Sequence, residues 1–494
     1  MSKNLRINKN NFIDQTTRIS FKFNGQKLFG YKGDTLASAL LANNIHLVGR
    51  SFKYHRPRGI MTCGSEEPNA IVQIGNDPSL TDPNVRATEI ELYEGLDASS
   101  QNCWPSVNFD IGGINNFLSP LLPAGFYYKT FMWPASFWEK YEYFIRHSAG
   151  LGKAPTKSDP DIYDHQYSHC DVLVVGGGIS GIISAKLSAE KGLDTILIDD
   201  KSFLGGSTIY QENECYKINS VNSNKWLANE IESLKNYPNL LIKNRTSLAA
   251  FHGYNYLLAR ENLTDHLSIN EKKGKVRQRL WKIRAKKVII ASGSIERPLI
   301  FSNNDRPGII LSSSIKKYID YYGVKTGENI SLFTNNDTAY ETAISLYKSG
   351  VKVNVIVDIR KNSDSLIVKE ALELGLKVLW ESTVVDTQGY KRIKSFEVMK
   401  LSDDGNNVVG DRSKYNCDCL GISGGWTPMV HLFTQSGGKL KFRNDDNVFI
   451  PDENKTPSNQ ISVGSCNGEF KLNEIVVNTC LLYTSPSPRD QRGS

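Results

Sequence analysis

The sequence predicts an α/β protein: a small domain led by a β-hairpin, then two strand–helix–strand units with nucleotide-type turns. Three observations carry this reading. An alternating stretch around Asn24-Gly25 reads as a hairpin and is followed by a helical segment. A glycine-rich turn, Gly176 to Gly181, stands between an apolar run and a helical stretch. A second strand–helix–strand pattern over residues 330–357 lies inside the first, whose remaining strands return afterwards.

With 494 residues the chain has room for roughly three domains at about 150 residues each. Its 39% apolar and 22% charged residues are those of an ordinary globular protein. The excess of 59 Lys and Arg over 52 Asp and Glu is mild and forms no dense block, so no nucleic-acid partner is expected. The opening residues MSKNLRINKNNF lack the apolar core of a secretory signal. The most apolar stretch, Ile114 to Trp138, is interrupted by Pro120, Pro123 and Pro134, so no membrane span is expected either. Eight cysteines are present, and only Cys417 and Cys419 are close together; one intervening residue suits neither a zinc knuckle nor a redox pair. A cytoplasmic protein with no metal site is the expectation.

Residues 17–30, TRISFKFNGQKLFG, alternate apolar and polar positions about the turn. Asp34 or Thr35 then caps the short helix TLASALLANN, and Ala70–Ile74 reads as a further strand. This order makes residues 1–94 a β-grasp domain of the 2Fe-2S-ferredoxin-like kind. Its iron–sulfur members hold their cluster with four cysteines, whereas the loop MTCGSEEPN offers Cys63 alone, so a cluster is excluded by ligand count. Residues 95–169 are rich in aromatic residues, Gly and Pro and read as an irregular connector ending in the polar linker KAPTKSDPDIYDHQ.

From Cys170 the apolar run Val172–Val175, a helix Ile179–Lys191 closed by Gly192, and the run Thr195–Ile198 follow in order, with a later strand at Lys287–Ala291. The inner unit comprises a strand Ile330–Phe333, a helix Ala339–Ser349 and a strand Lys352–Val357; Val448–Ile450 and Ile461–Val463 read as returning strands. The first nucleotide-binding domain therefore takes residues 170–300 and 411–480, and an inserted second one takes 301–410. From Leu481 the tail LLYTSPSPRDQRGS loses all periodicity and reads as a non-native end on a truncated chain.

The turn Gly176-Gly177-Gly178-Ile179-Ser180-Gly181 fits GxGxxG in its required strand–turn–helix context. Gly176 permits the tight turn, Gly178 lets a pyrophosphate approach the backbone, and Gly181 lets helix and strand pack closely. The helix N-terminus, at Ile179 and Ser180, offers N–H groups to phosphate, and Asp199 or Asp200 can accept from ribose hydroxyls. The second turn, Thr334-Asn335-Asn336-Asp337-Thr338-Ala339, has no glycine, and Asp337 is expected to cap the following helix and so place a carboxylate where a pyrophosphate would sit. That unit is expected to have kept the fold and lost its nucleotide.

Leu204-Gly205-Gly206-Ser207 stands where two-domain flavoprotein disulfide reductases carry a Gly-Gly loop, but Cys215 has no partner at CxxxxC spacing, which rules out disulfide chemistry there. Ser292-Gly293 and Gly464 lie in turns that can touch a nucleotide or be structural. The basic stretch GRSFKYHRPRG, with Arg50, Lys53, His55, Arg56 and Arg58, reads either as a phosphate or partner contact or as a solvated loop anchored by Phe52 and Tyr54. None of the eight histidines stands in a catalytic or metal pattern.

Taken together, GRSFKYHRPRGIMTCGSEEPNA, LSPLLPAGFYYKTFMWP, VLVVGGGISG, RPLIFSNNDRPGIIL, TNNDTAYETA and GISGGWTPMVHL resemble the alpha subunits of heterotetrameric sarcosine oxidases, from about residue 17 to 480. The resemblance implies NAD on Gly176, Gly178 and Gly181, with Asp200 favoured over Asp199 at the ribose. It also implies beta, gamma and delta subunits, FAD on the beta subunit, FMN between subunits, and a C-terminal domain for tetrahydrofolate that is missing here. The family's complex oxidises sarcosine to glycine and yields hydrogen peroxide and a one-carbon unit, and this chain alone should lack turnover. Related amine, opine and proline dehydrogenase complexes share parts of the layout. A self-sufficient FAD-dependent NAD(P)H oxidoreductase, with FAD at the same turn, is the alternative, and a non-catalytic scaffold the third reading.

Overall fold

The turn Asn24-Gly25 takes positive φ at both residues, 51° and 78°, which matches the twist of a two-residue hairpin. It joins the antiparallel strands Asp14–Phe23 and Gln26–Lys32, in which Phe21 faces Leu28. This is the start of a computed structural model that describes residues 4–7, 12–121, 133–148, 150–211, 217–218, 220–456 and 459–481. The chain divides into two units: one of Met1–Pro160, His266–Glu271 and Pro298–Gly425, the other of Asp161–Asp265, Lys272–Arg297 and Trp426–Ser494.

In the first unit, the helix Leu36–Ala42 is buried at every position, and Thr35 and Ser38 form its capping box. Asp34 does not cap. Its carboxylate instead accepts from Arg6 Nη2 at 2.5 Å and Ser38 Oγ at 2.7 Å. The hairpin belongs to a five-stranded sheet in the order Gln26–Lys32, Asp14–Phe23, Asp97–Ser100, Ile71–Ile74, Asp82–Arg86. Its central strand, Asp97–Ser100, runs parallel to the first and falls in the stretch that the sequence reads as connector. Only Ala98 of its four residues is an apolar, buried position, so pairing on both edges rather than any pattern of its own makes it a strand.

The loop between the basic stretch and Ile71 is organised by one carboxylate. Glu67, 1% exposed, accepts backbone N–H groups of Met61 (3.0 Å), Thr62 (2.6 Å), Asn69 (2.8 Å) and Ala70 (2.9 Å) and the Thr62 hydroxyl (3.1 Å). Burial pushes its carboxyl above the ordinary value despite these donors.

The same unit holds a parallel sheet in the order Ile309–Leu311, Cys419–Ser423, Asn329–Thr334, Lys352–Asp358, Val378–Leu379. The helices Ser312–Asp320 and Thr338–Lys348 accompany it, and their apolar residues Ile315, Ile319, Tyr340, Ala343 and Ile344 share one core with Ile330, Leu332 and Ile356. A three-stranded antiparallel sheet, Ser382–Gly389, Ile393–Leu401 and Val408–Asn416, follows.

The second unit is built on a larger sheet. Leu240–Lys243, Thr195–Ile198, Ile162–Val175, Val276–Ile290 and Gln460–Ser462 run parallel, and the hairpin Thr246–His252 with Tyr256–Asn262 extends the sheet antiparallel. Ile162–Val175 starts within the segment read as polar linker. Its first half is largely exposed and carries no apolar run, and it is held by Arg279 to Asp164 at 2.8 Å and Arg277 to Asp161 at 2.9 Å. Val448–Pro451 is a strand but does not return to this sheet; it pairs with Leu440–Arg443 in a separate ribbon, and Gln460–Ser462 is the returning strand. Among the described residues, no helix is long and apolar enough to cross a membrane.

Candidate functional site: the glycine turn of the second unit

Val172–Val175 enters the turn fully enclosed, each residue at most 7% exposed. At Gly176 φ is +107°, a left-handed value that side chains avoid, and a Cβ there would overlap the Ala291 carbonyl oxygen. A Cβ on Gly181 would overlap the Gly176 carbonyl oxygen. Helix and strand thus approach too closely for any side chain at either position. Gly178 differs: a Cβ there would meet nothing within 4 Å, so its glycine is unexplained by the protein's own packing. That open face lies at the N-cap of the helix Ile179–Glu190, which has no side-chain cap. As the N-cap residue, Gly178 brings no side-chain oxygen to the first-turn N–H groups of Ile179, Ser180 and Gly181, a setting that suits an anion at a helix N-terminus.

Other predicted residues gather here. Gly205 donates its N–H to the Gly177 carbonyl at 2.8 Å, and a Cβ on Gly206 would stand 3.1 Å from Gly178 Cα. A Cβ on Gly464 would overlap Ser180 Oγ, and the Gly464 N–H donates to Glu469 Oε2 at 3.2 Å. Glu469, whose carboxyl burial pushes up, is a neighbour that the motifs do not reveal. Ser292 and Gly293 sit beside the turn, but the Ser292 hydroxyl is engaged by the Met429 carbonyl at 2.8 Å and the Gly293 carbonyl by the Met429 N–H at 3.0 Å.

The two aspartates at the strand end part company. Asp199 Oδ2 accepts the Gly177 N–H at 2.5 Å and Oδ1 accepts the Lys201 N–H at 2.8 Å. Burial, and then the adjacent Asp200, push its carboxyl up to about 6. Asp200 is exposed and pairs with Lys201 at 2.9 Å. Just past the strand end, it is Asp199 that turns to the glycines, whereas Asp200, the residue the resemblance favours, turns to Lys201. Cys215 lies outside the described residues.

The second turn, in the first unit, also departs from expectation. Asp337 precedes the helix Thr338–Lys348 but makes no cap bond. Asn336 Oδ1 accepts the Thr338 N–H at 3.1 Å instead. The Asp337 carboxylate is drawn aside to Arg360 Nη1 at 2.7 Å and Ser363 Oγ at 3.0 Å. Burial raises this carboxyl, but Arg360 outweighs it and holds it below the ordinary range. Asp358, fully buried at the end of the next strand, is taken up by Arg360 Nη2 at 2.7 Å and the Tyr340 hydroxyl at 2.8 Å. The acid at the ribose position of this unit is thus consumed internally.

Residues 170–473, over half of the chain, match the family described as pyridine nucleotide-disulphide oxidoreductase. The chain belongs to that family. This pyridine nucleotide-disulphide oxidoreductase is preceded, at residues 16–103, by a match to a 2Fe-2S iron-sulfur cluster binding domain. That stretch contains two cysteines, Cys63 and Cys103, against the four a cluster needs, and burial pushes the Cys103 thiol up to about 11, so the residues do not fit a cluster. The chain is homologous to sarcosine oxidase alpha subunits. It is 42% identical to that of Rhizobium meliloti (strain 1021) over 90% of this chain and 43% of the relative, and 31% identical to that of Corynebacterium sp. (strain U-96) over 92% and 42%. It spans about two-fifths of the length of these relatives. L-proline dehydrogenase from P. horikoshii shares the fold, with a TM-score of 0.60 at 19% identity over 94% of this chain and 71% of that one.

Proposed function

We propose that this oxidoreductase is the nucleotide-holding part of the alpha subunit of a sarcosine oxidase, with NAD on the first glycine turn. The observation that carries the reading is the open face at Gly178, where a helix N-terminus without a side-chain cap meets a glycine that packing alone does not require. Ile179, Ser180 and Gly181 offer backbone N–H groups to the pyrophosphate; Gly176, Gly205, Gly206 and Gly464 allow the close approaches; Asp199 accepts from the ribose. Ser292, Gly293 and Asp200 border the site without an engaged role. When bound, NAD supplies a nicotinamide ring able to accept or return hydride.

The wider reading rests on the relatives. In it the complex oxidises sarcosine to glycine and yields hydrogen peroxide and a one-carbon unit. The beta, gamma and delta subunits, FAD, FMN and a tetrahydrofolate-binding domain supply what this chain does not. A cytoplasmic setting accords with the cysteines, all free thiols among the described residues.

Denaturing the purified chain and identifying the released nucleotide by mass and absorbance tests the proposal. NAD in near-stoichiometric amount, lost in Gly178→Ala, supports it. FAD in its place would transfer the same site to a self-sufficient reductase, and an empty protein that binds no added NAD would overturn it.

A further inference from the structure

The first unit encloses positive charge that it does not neutralise. A cavity of about 280 Å³ is lined by Arg50, His55, Arg56, Asn303, Arg306 and Tyr390, among others. Arg56 and Arg58 share one carboxylate: Arg56 forks onto Asp305 at 2.7 and 2.6 Å, and Arg58 Nη1 also donates to it. Among the described residues, neither of the other two guanidiniums is hydrogen-bonded to a carboxylate. Arg50, 5% exposed, donates to the Val107 carbonyl at 3.0 and 2.6 Å and to the His55 carbonyl at 3.1 Å. Arg306 donates to the Thr387 hydroxyl at 3.3 Å and to the Gly389 carbonyl. Burial, then the neighbouring Arg56, push the Arg306 guanidinium below its ordinary value, and Asp305 and Asp386 offset this only in part.

The hydrogen bonds of two neighbouring carboxylates go to other groups. Asp110 holds His55 Nδ1 at 2.7 Å, and Asp386 accepts from Asn303 at 2.7 Å. Enclosed cations paired only with neutral oxygens are costly, and the cost is met when an anion enters. Guanidiniums suit phosphate in particular, because their planar forks bond its oxygens two at a time. The cavity lies just below the roughly 300–1,000 Å³ of drug-sized sites, which limits the occupant to a small molecule or the end of one. Arg50 lies 5.8 Å from the centre of the Tyr390 ring at the same cavity.

We propose that this cavity is an anion site that takes the phosphate group of a small phosphorylated ligand, with Arg50 and Arg306 supplying the unneutralised charge. It is separate in sequence and unit from the glycine turn. Asn303, Asp305 and Arg306 belong to one of the stretches that carry the family resemblance, and Arg50 to Arg58 belong to another, so two distant motifs converge on one function.

The test is calorimetric titration of the full chain at low salt with inorganic phosphate, phenyl phosphate and, as control, acetate. Phosphate binding that weakens at least tenfold in R306Q but persists in Gly178→Ala supports the proposal, because the glycine turn is then not the site measured. Phenyl phosphate binding tighter than inorganic phosphate assigns a ring-bearing ester; equal binding assigns phosphate alone. The proposal is overturned if the wild-type chain binds no phosphate at millimolar concentration, if acetate binds as well, or if both R306Q and R50Q bind as the wild type does. R306Q removes a cation whose partners are all neutral, so an unchanged melting temperature separates loss of binding from loss of fold.

Discussion

The Asp199 carboxylate accepts the backbone N–H of Gly177 at 2.5 Å, tying the end of one strand to the glycine turn of its neighbour. One oxygen atom thus orders the turn, and the carboxylate is fixed beside the phosphate-binding face before any ligand arrives. Preorganisation of this kind lowers the cost of binding. It also separates Asp199 from Asp200 in an experiment. Asp199→Asn should weaken NAD binding at least tenfold in a titration, and Asp200→Asn should change it less than twofold.

The pH dependence follows from the same residue. Its carboxyl stands at about 6 in the folded chain against an ordinary 3.8. The folded state therefore holds a proton between these values that the unfolded state has released. The stability Asp199 contributes is fully present below about pH 4 and is lost as pH rises through 6. Binding runs the other way, because the ionised form is the better acceptor from ribose hydroxyls. NAD affinity should be flat above pH 7 and fall below 6, by at most about tenfold per pH unit. Titrations from pH 5 to 8 should show this slope in the wild type and a flat profile in Asp199→Asn.

Gly178 and Gly181 should part in a way their common motif conceals. Gly178→Ala meets no atom within 4 Å and has an ordinary φ of −73°, so its unfolding free energy in urea should stay within about 0.5 kcal/mol of wild type while bound nucleotide is lost. Gly181→Ala forces a methyl group onto the Gly176 carbonyl and should cost about 1–3 kcal/mol or more in the same measurement.

Arg360 is the one cation paired with Asp358 and Asp337 among the described residues, at 2.7 Å from each. Arg360→Leu would leave a fully buried carboxylate with only the Tyr340 hydroxyl and the backbone N–H of residue 360. Breaking a buried pair costs about 3–5 kcal/mol. With the guanidinium 26% exposed, the loss read from urea unfolding should fall near the lower end of that range.

The glycine turn was legible in the sequence because each of its constraints is local: a tight φ at Gly176, a close approach at Gly181, an acid at the next strand end. The strand Asp97–Ser100 was not, since its partners lie far off in the chain, Lys22 opposite Asp97 at 75 residues and Ile74 opposite Ala98 at 24, separations that no short window spans. Nor was the first half of Ile162–Val175, whose exposed residues carry no apolar period. The sequence pointed to Asp337 as a cap, but a salt bridge to a residue in the following strand's loop outweighed that local preference. Arg306 and Arg56 each stood in a recognised stretch, yet nothing in either signals that the fold brings them to one cavity.

Glu67 offers a fourth stability test. Glu67→Gln would turn an amide NH₂ toward backbone donors that now share the carboxylate, at about 1–3 kcal/mol for each N–H left unpaired. The variant should unfold at lower urea, and its loss should be independent of added nucleotide.

That carboxylate has a wider consequence. Where a loop of this kind is closed by iron, the domain folds only as fast as metal and sulfide are delivered, and it is undone by oxidants or chelators. Here the closing group is encoded in the chain and leaves the ribosome already attached. The domain's maturation should proceed in air and through iron starvation, and chelator treatment of the purified chain should leave its melting temperature unmoved.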